Sequence, residues 1–281
     1  MRQENNRGME PAQKERTPFS DIDGLTAQMS EMVLAALTEM GQHPEIRRVR
    51  RAGFDALRPA LGARLLDAGS GSGEVARRLA AEVGPRGEVT ALDYSAAITA
   101  AAIARHDKSN VRYVTGDVGA LDLADDCVDG VWCERVLQHV DDADRAIGEL
   151  CRVTRPGGRI CLIDTDWESL AFDGVPPRLW DEVWSYVGGH FTPKQRDMGR
   201  TLRRRLVAAG LTGLTATPVT CLFGSPDSAA VVLPMVNPRV PEDAWQTPPG
   251  LRDEWLACVE AAGARGDFLA VLTIWVVAGT V

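Results

Sequence analysis

The most informative segment of this chain is Leu65-Leu66-Asp67-Ala68-Gly69-Ser70-Gly71-Ser72-Gly73-Glu74. A short apolar run ends at Asp67, and glycines at alternate positions then lead into a helical pattern over Glu74–Val83. Glycines at a strand-to-helix turn permit a tight bend and let a ligand lie against the backbone. The free N–H groups at the start of the helix can receive a carboxylate or a phosphate. The segment therefore predicts a ligand-binding turn at the carboxyl edge of an α/β sheet.

The same alternation of apolar runs and helical patterns continues downstream. Helical stretches are predicted over Ala96–Arg105 and Asp144–Val153, and the second ends at the turn Arg155-Pro156-Gly157-Gly158. Short apolar strands that alternate with helices are typical of a doubly wound parallel sheet with both faces covered. The further strands that this pattern predicts are EVTALDY (88–94), VRYVTGD (111–117), CVDGVWC (127–133) and RICLIDT (159–165).

Beyond Thr165 two inserted segments, 166–200 and 224–266, interrupt the alternation. The first is rich in aromatic residues, and the second contains Pro-rich turns. The first rises from the carboxyl end of the predicted fifth strand, so we expect the inserted segments to form the acceptor pocket of an enzyme. The remaining predicted elements are a helix over Thr201–Ala209, a strand over Leu214–Phe223, a helix over Leu251–Ala262 and a strand over Phe268–Ala278.

The N-terminal part of the chain divides into a polar and a helical segment. Residues 1–18 are polar and show no periodicity, which predicts a disordered tail. From Phe19 to Ala60 apolar residues recur at helical steps, and a second helical segment from Glu45 to Leu57 follows Pro44. The chain is thus predicted to carry a helical cap over 19–60 ahead of a main domain over 61–281.

The composition excludes several classes of function. A net charge of −8 over 281 residues gives no basic field that could gather phosphates, so no nucleic-acid partner is expected. Six cysteines lie scattered without a C-x-x-C pair, which argues against a zinc site and favours a reducing compartment. The chain start lacks a signal peptide, and the apolar run Phe268–Gly279 is too short to cross a bilayer. We expect a cytoplasmic protein with no metal and no membrane partner.

The spacing of the glycines separates the candidate ligands. A dinucleotide-binding turn has the form G-x-G-x-x-G, and a phosphate-binding loop of the Walker type ends in Gly-Lys-Ser/Thr, which is absent here. The form D-x-G-x-G-x-G, from Asp67 to Gly73, resembles the first motif of the class I S-adenosylmethionine-dependent methyltransferases. The stretch VDGVWCERVLQHVDDADRAIGELCRVTRPGGRICLID (128–164) resembles the fourth strand, helix and turn of the ubiquinone/menaquinone-type small-molecule members. The resemblance is specific from Arg64 to Asp164.

The resemblance implies a Rossmann-like, doubly wound, seven-stranded sheet with an antiparallel last strand, and S-adenosylmethionine as cofactor. It places the glycine turn at the methionine part of the cofactor, Asp93 at the ribose and Asp117 at the adenine. Taken alone, Asp93 also fits a helix cap and Asp117 an ordinary turn residue. The cofactor-binding residues that it implies are Asp67, Gly69, Ser70, Gly71, Gly73, Asp93, Tyr94, Asp117, Val118 and, through the nearby backbone, Glu134.

Methyl transfer from a sulfonium is an in-line displacement, so the protein must chiefly align the reactants and exclude water. An oxygen or nitrogen acceptor that must lose a proton adds a general base, worth about 10²–10⁴-fold in rate. His139, which follows the predicted fourth strand, is our candidate base, and a structural brace is the alternative; Glu134 and Asp166 are weaker candidates. The residues predicted to contact an apolar, planar acceptor are Trp167, Trp184, His190 and Phe191.

Three functions are compatible with these features. The first is methyl transfer to a small apolar or aromatic metabolite of secondary or quinone-type metabolism. The second is a cofactor-binding enzyme of the same fold that uses the pocket for another reaction, such as a cyclisation. The third, an RNA or protein methyltransferase, is disfavoured by the acidic charge and by insertions that are rich in aromatic rather than basic residues. The sequence leaves the oligomeric state open, with a homodimer among the choices.

Overall fold

The chain forms a seven-stranded sheet with helices on both faces, seen in a computed structural model that describes residues 27–105, 109–188, 191–193 and 195–281. The predicted tail over 1–18 and the start of the predicted cap lie outside the described residues. The strands are β1 Arg64–Ala68, β2 Glu88–Asp93, β3 Val111–Thr115, β4 Val128–Glu134, β5 Thr154–Asp173, β6 Thr212–Phe223 and β7 Leu269–Thr280.

The sheet has the strand order β3-β2-β1-β4-β5-β7-β6. The first five strands are parallel, and β7 is antiparallel to both of its neighbours, with Cys161 opposite Ala278 and Cys221 opposite Leu272. The predicted fold class is therefore confirmed, including the antiparallel last strand. The order reverses between β1 and β4, which is where open α/β sheets bind their ligands.

Helices connect the strands and cover the sheet. The cap contributes the first two helices. The first insertion contributes one helix, and the second contributes a short helix after β6 and a longer one before β7. Among the described residues they are α1 Ala27–Gln42, α2 Pro44–Leu57, α3 Glu74–Val83, α4 Ala96–Ala104, α5 Ala143–Val153, α6 Pro177–Val187, α7 Met198–Ala208, α8 Pro226–Ala230 and α9 Leu251–Arg265, with 3₁₀ turns at Leu137–His139, Pro234–Val236 and Glu242–Ala244.

The sheet divides the hydrophobic core into two layers. One layer joins α2 and α3 to the helices of the insertions, through side chains such as Ile46, Leu79 and Val183. The other joins α5 and α7 through side chains such as Ile147 and Leu202. Because both faces are covered, strands such as β1 are apolar along most of their length, which is why they appear in the sequence as apolar runs.

The fifth strand is longer than the sequence predicts, since it runs to Asp173 rather than ending at Thr165. It pairs with β7 as far as Asp173, after an irregularity between Asp166 and Ala171. The hydroxyl of Ser169 in this irregular part accepts a hydrogen bond of 2.8 Å from the N–H of Thr273. The first predicted insertion therefore begins as part of the sheet, because β7, a strand distant in sequence, supplies its partner.

The start of β5 also differs from the prediction. The segment Arg155–Gly158 lies within the strand instead of forming a separate turn, with Gly157 at a left-handed φ of 78°. The N–H of Gly157 donates to the carbonyl of Val281 at 2.9 Å, and the N–H of Val281 donates to the carbonyl of Gly158 at 3.0 Å. The end of the chain thus stabilises this segment as an extended one.

The two insertions pack against each other through aromatic rings. The ring of Phe172 lies 5.3 Å from that of Trp255 on α9 and 4.6 Å from that of Trp180 on α6. The indole N–H of Trp255 donates to the carbonyl of Met235 at 2.7 Å, so the buried ring also has its polar atom satisfied. Trp255 is therefore the residue that joins the insertions to the edge of the sheet.

We expect Trp255→Ala to lower the free energy of unfolding by about 3–5 kcal/mol, because a fully buried ring leaves a cavity. Trp255→Phe keeps an aromatic ring but leaves the carbonyl of Met235 without its hydrogen-bond donor, so we expect it to lower the free energy of unfolding by about 1–3 kcal/mol. Tyr186→Ala on α6 is the control, since its side chain is 38% exposed. Urea unfolding of the three variants gives these values, and equal stability of Trp255→Ala and Tyr186→Ala would contradict the role of Trp255.

Candidate active site

The glycine turn is fastened to the end of β2. The N–H groups of Gly69 and Ser70 both donate to the carbonyl of Leu92, at 2.7 and 2.8 Å. Gly69 has a φ of 79° and packs so closely on Val136 that a side chain there would collide with it. At Gly71, by contrast, an added Cβ would meet nothing within 4 Å. The turn therefore has one face closed against the loop after β4 and one face open to a ligand.

Asp93 joins the turn to the second strand. It is the last residue of β2, as the sequence predicts, and its two carboxylate oxygens accept hydrogen bonds from the N–H of Gly71 at 2.8 Å and of Ser95 at 3.0 Å. The residue that caps α4 is Ser95, whose hydroxyl accepts from the N–H of Ile98 at 3.1 Å. Asp93 is therefore not the helix cap, and its carboxylate lies at the open glycine.

Asp67 is a buried carboxylate at the centre of the site. Its residue is 2% exposed, and one of its oxygens has no hydrogen-bond partner among the described residues. Burial, followed by repulsion from Glu134, raises the pKa of Asp67 to about 8. A buried carboxyl oxygen that accepts no hydrogen bond destabilises the folded protein. The arrangement suits a ligand that brings a positive charge or a hydrogen-bond donor to this oxygen.

Glu134 is the second buried carboxylate, and Arg50 holds it. The Nε atom of Arg50 lies 3.1 and 2.9 Å from the two oxygens of Glu134, and its Nη1 lies 2.9 Å from Glu74 and 3.3 Å from the carbonyl of Gly41. Burial would raise the pKa of Glu134, but the positive charges of Arg50 and Arg135 bring it below the usual value. Glu134 is therefore ionised, and α2 is attached to β4 and α3 through one guanidinium.

Arg135 follows Glu134 in a strained conformation, with a φ of 55°. Its N–H donates to the carbonyl of Ile163 at 2.7 Å, and its guanidinium lies 3.3 Å from Glu134 and contacts the sulfur of Met40. Burial lowers the pKa of Arg135, against the opposing effect of Glu134. A positive charge is thus held inside the carboxyl edge of the sheet.

The residues predicted to contact the adenine and the ribose differ in how exposed their side chains are. Asp117 lies on the surface, and its carboxylate accepts from the N–H of Gly119 at 2.7 Å, as an ordinary turn residue does. The side chain of Val118 is buried in the core, and the ring of Tyr94 is 70% exposed. The backbone at Val118 and the rim at Tyr94 remain available to the adenosyl part of a ligand, and their contacts with it stay a prediction.

His139 ends the 3₁₀ turn after β4, next to Gln138. The amide nitrogen of Gln138 lies 3.2 Å from Nε2 of His139, and its amide oxygen accepts from the indole N–H of Trp167 at 2.9 Å. Burial, together with the nearby charge of Arg135, lowers the pKa of His139 to about 4. A buried setting and a nearby cation both disfavour the imidazolium form of His139.

Two aspartates at the end of β5 complete this edge. Asp164 is buried and accepts from the N–H of Gln138 at 3.1 Å and of Thr165 at 2.9 Å, while burial raises its pKa to about 7. Asp166, a weaker candidate from the sequence, forms an ion pair with Arg200 on α7, whose Nε lies 2.8 Å away. Asp166 is thus engaged in an ion pair with Arg200, whereas Asp164 is hydrogen-bonded to the loop that carries His139.

Of the residues predicted to contact the acceptor, the described ones pack in the same layer of the core but in different contacts. Trp167 lies in β5 beside Gln138, at the carboxyl edge. Trp184 packs on Trp180, with ring centres 5.2 Å apart, under the guanidinium of Arg196. The remaining rings are Phe191, which lies 5.1 Å from Trp245 in an edge-to-face contact, and His190, which is outside the described residues.

The sequence missed three residues that matter here. Arg50 is one of several arginines on α2, and nothing in the local pattern distinguishes it. Gln138 and Asp164 lie beside predicted positions, and a buried polar residue at a strand end was the signal that could have found Asp164.

Within the described ranges no group of histidine, cysteine or acidic side chains could hold a metal ion, and no helix has the length and apolarity needed to cross a membrane.

Comparison with known proteins agrees with this geometry. A family model described as a methyltransferase domain matches residues 66–162, which contain the glycine turn and the loop after β4. An uncharacterised 37.1 kDa protein in transposon TN4556 of Streptomyces fradiae is 33% identical over 246 residues, 86% of this chain and 69% of that protein. A malonyl-[acyl-carrier protein] O-methyltransferase of Pectobacterium atrosepticum is 43% identical over 121 residues, 42% of this chain and 45% of that enzyme.

The fold is also known from solved structures. Phosphoethanolamine N-methyltransferase 2 of Haemonchus contortus, in complex with S-adenosyl-L-methionine, superposes with a TM-score of 0.59 at 17% identity, over 93% of this chain and 59% of that one. This superposition shows that the chain has a Rossmann-like fold. The chain belongs to the S-adenosylmethionine-dependent methyltransferases, and S-adenosylmethionine is its cofactor. The orphaned oxygen of Asp67 and the open glycine turn fit a cofactor that carries an ammonium, a sulfonium and a ribose.

We expect Asp93→Ala to weaken the binding of S-adenosylhomocysteine at least tenfold, since each hydrogen bond to a charged group is worth about 1.5–3 kcal/mol. Isothermal titration calorimetry of wild type and variant measures this, with Asp122→Ala, an exposed acidic residue, as the matched loss of charge. If a folded Asp93→Ala variant bound as tightly as Asp122→Ala, Asp93 would not belong to the cofactor site.

Proposed function

We propose that this enzyme transfers the methyl group of S-adenosylmethionine to a small apolar or aromatic metabolite, in secondary or quinone-type metabolism. The observation that carries the proposal is the hydrogen bond from the indole of Trp167 to Gln138. It attaches the second half of β5 to the loop that follows β4, at the edge where the cofactor's methyl group would be presented. An acceptor bound there would lie beside the indole of Trp167.

The described residues suggest how the cofactor would be held. Asp93 would accept from the ribose hydroxyls, Asp67 would face the ammonium, and the N-terminus of α3 would receive the carboxylate. Gly71 would let the ligand approach the backbone, and the segment at Asp117 and Val118 would flank the adenine. When bound, S-adenosylmethionine supplies a methyl group on a sulfonium, which is a good leaving group.

The protein's own part in the reaction would be alignment and the exclusion of water. Positioning two reactants can be worth about 7–11 kcal/mol of the barrier. The acceptor pocket would form between the insertions over 166–200 and 224–266, with Trp184 and Phe191 half-buried and available to a planar group. Trp167, whose indole is bonded to Gln138, would close the pocket on the side of the cofactor.

The relatives support an acceptor other than a nucleic acid. The enzyme from P. atrosepticum is named for an acyl group on a carrier protein, and it shares 43% identity over 121 residues. The net charge of −8 agrees with this, because an RNA substrate needs a positive surface. Insertions differ most among enzymes of one fold, so the acceptor has to be found by experiment.

A cell extract incubated with the enzyme and deuteromethyl-labelled S-adenosylmethionine should yield a labelled small metabolite, detected by mass spectrometry. Trp184→Ala should lower kcat/KM for that acceptor about tenfold, the equivalent of ~1.4 kcal/mol of lost contact, with Tyr186→Ala on the same helix as control. Label found in RNA or protein would overturn the proposal. Cofactor binding without any labelled product would favour a non-methylating reaction such as cyclisation.

A further inference from the structure

The guanidinium of Arg50 uses two of its three nitrogens on the protein. Its Nε lies 3.1 and 2.9 Å from the two oxygens of Glu134, and its Nη1 lies 2.9 Å from Glu74 and 3.3 Å from the carbonyl of Gly41. The third nitrogen, Nη2, has no hydrogen-bond or ion-pair partner within the described part of the chain, and it is not sealed from solvent. Arg50 therefore keeps one amino group that can bind a further anion.

The two elements that Arg50 contacts fix its place in the fold. Glu74 is the first residue of α3, directly after the glycine turn, and Glu134 is the last residue of β4. The guanidinium thus lies beside the turn on the side of β4, whereas Asp93 ends β2, on the other side of β1. A cofactor whose ribose lies at Asp93 would extend its methionine part across the turn toward Arg50.

Opposite charges meet at this end of the turn. Burial and the charge of Glu134 raise the pKa of Asp67, and the charge of Arg50 opposes that rise, so the guanidinium and this carboxyl are close enough to interact. One oxygen of Asp67 has no partner among the described residues and can receive a cation. The methionine part of the cofactor carries an ammonium and a carboxylate on one carbon atom. Asp67 and Arg50 together match that pair of charges.

We propose that Arg50 binds the carboxylate of the cofactor's methionine part through Nη2, beside the N-terminus of α3, while its other nitrogens hold Glu134 and Glu74. The inference deepens the proposed function and rests on it, since it assumes that the ribose lies at Asp93 and the ammonium at Asp67. The helical cap thus supplies a direct contact to the cofactor. The enzyme selects a nucleoside with an intact amino acid and discriminates against decarboxylated S-adenosylmethionine. A guanidinium suits this task because its rigid plane presents several donors to carboxylate oxygens.

Arg77 provides a contrast on the other side of the turn. Its Nη1 donates to the carbonyl of Ser72 at 3.1 Å and lies 3.4 Å from the hydroxyl of Tyr113 on β3. The strand order places β3 beyond β2, at the part of the sheet edge where the adenine is expected. Arg77 is therefore a cation near the same glycines that should not reach the carboxylate.

Calorimetric titration with three ligands measures what the carboxylate contributes. S-adenosylhomocysteine carries both charged groups, its decarboxylated analogue keeps only the ammonium, and methylthioadenosine has neither. The wild type should bind S-adenosylhomocysteine at least about tenfold more tightly than the decarboxylated analogue, because the analogue leaves Nη2 without its partner. In Arg50→Gln this ratio of affinities should fall to about one, while the affinity for methylthioadenosine changes little.

Arg50→Lys is the second variant, because Arg50→Gln also removes the counter-charge of Glu134. Lysine keeps a positive charge beside Glu134 but presents one nitrogen instead of a fork, so its ratio should lie between those of the wild type and Arg50→Gln. Two controls should keep the wild-type ratio: Arg51→Gln, which changes an exposed arginine of the same helix, and Arg77→Gln.

A wild-type ratio near one would overturn the proposal, as would an unchanged ratio in a folded Arg50 variant or loss of the preference in Arg77→Gln. If none of the three ligands bound to the wild type, the cofactor site itself would be wrong, and this proposal with it. A failure of the proposed acceptor is seen separately, since labelling of a small metabolite can fail while all of these affinities stay as expected.

Discussion

The ion pair between Arg50 and Glu134 is the interaction on which the site depends. Their side chains are 12% and 7% exposed, and the guanidinium also reaches Glu74 at the start of α3. A buried pair of this kind contributes little by itself, but removing one partner strands a charge and costs about 3–5 kcal/mol. The pair therefore fixes three elements, α2, β4 and α3, in one arrangement around the glycine turn. It also balances the charge of Glu134, while the attraction of Arg50 does not prevent burial from raising the pKa of Asp67.

The unsatisfied oxygen of Asp67 would favour a ligand that carries a positive charge. Arg50 is shared with Glu134 and Glu74, and burial still raises the pKa of Asp67 to about 8. A ligand that carries an ammonium at this point would restore the charge balance that the protein lacks. Arg135 brings a second buried guanidinium to the same edge, 3.3 Å from Glu134.

Much of this arrangement could be predicted from local sequence, and some could not. The glycine turn and Asp93 were predictable because their chemistry depends on residues adjacent in the chain. The extension of β5 to Asp173 was not, since its partner β7 lies about a hundred residues further on and pairing at that range leaves no local pattern. Arg50 could not be distinguished in the sequence from the other arginines of α2, because only the fold brings it to Glu134. The lowered pKa of His139 likewise follows from its burial, which the spacing of residues in the sequence does not show.

Because burial raises the pKa of Asp67 to about 8, we expect its carboxyl to be protonated at neutral pH and to ionise when a ligand brings an ammonium to it. Binding of S-adenosylhomocysteine at pH 7 should therefore release a proton. Calorimetric titration at pH 7 in buffers of different ionisation enthalpy measures the release, with Asp67→Asn as the control that cannot ionise. The account predicts close to one proton more from the wild type than from Asp67→Asn. Equal proton release from the two proteins would contradict it.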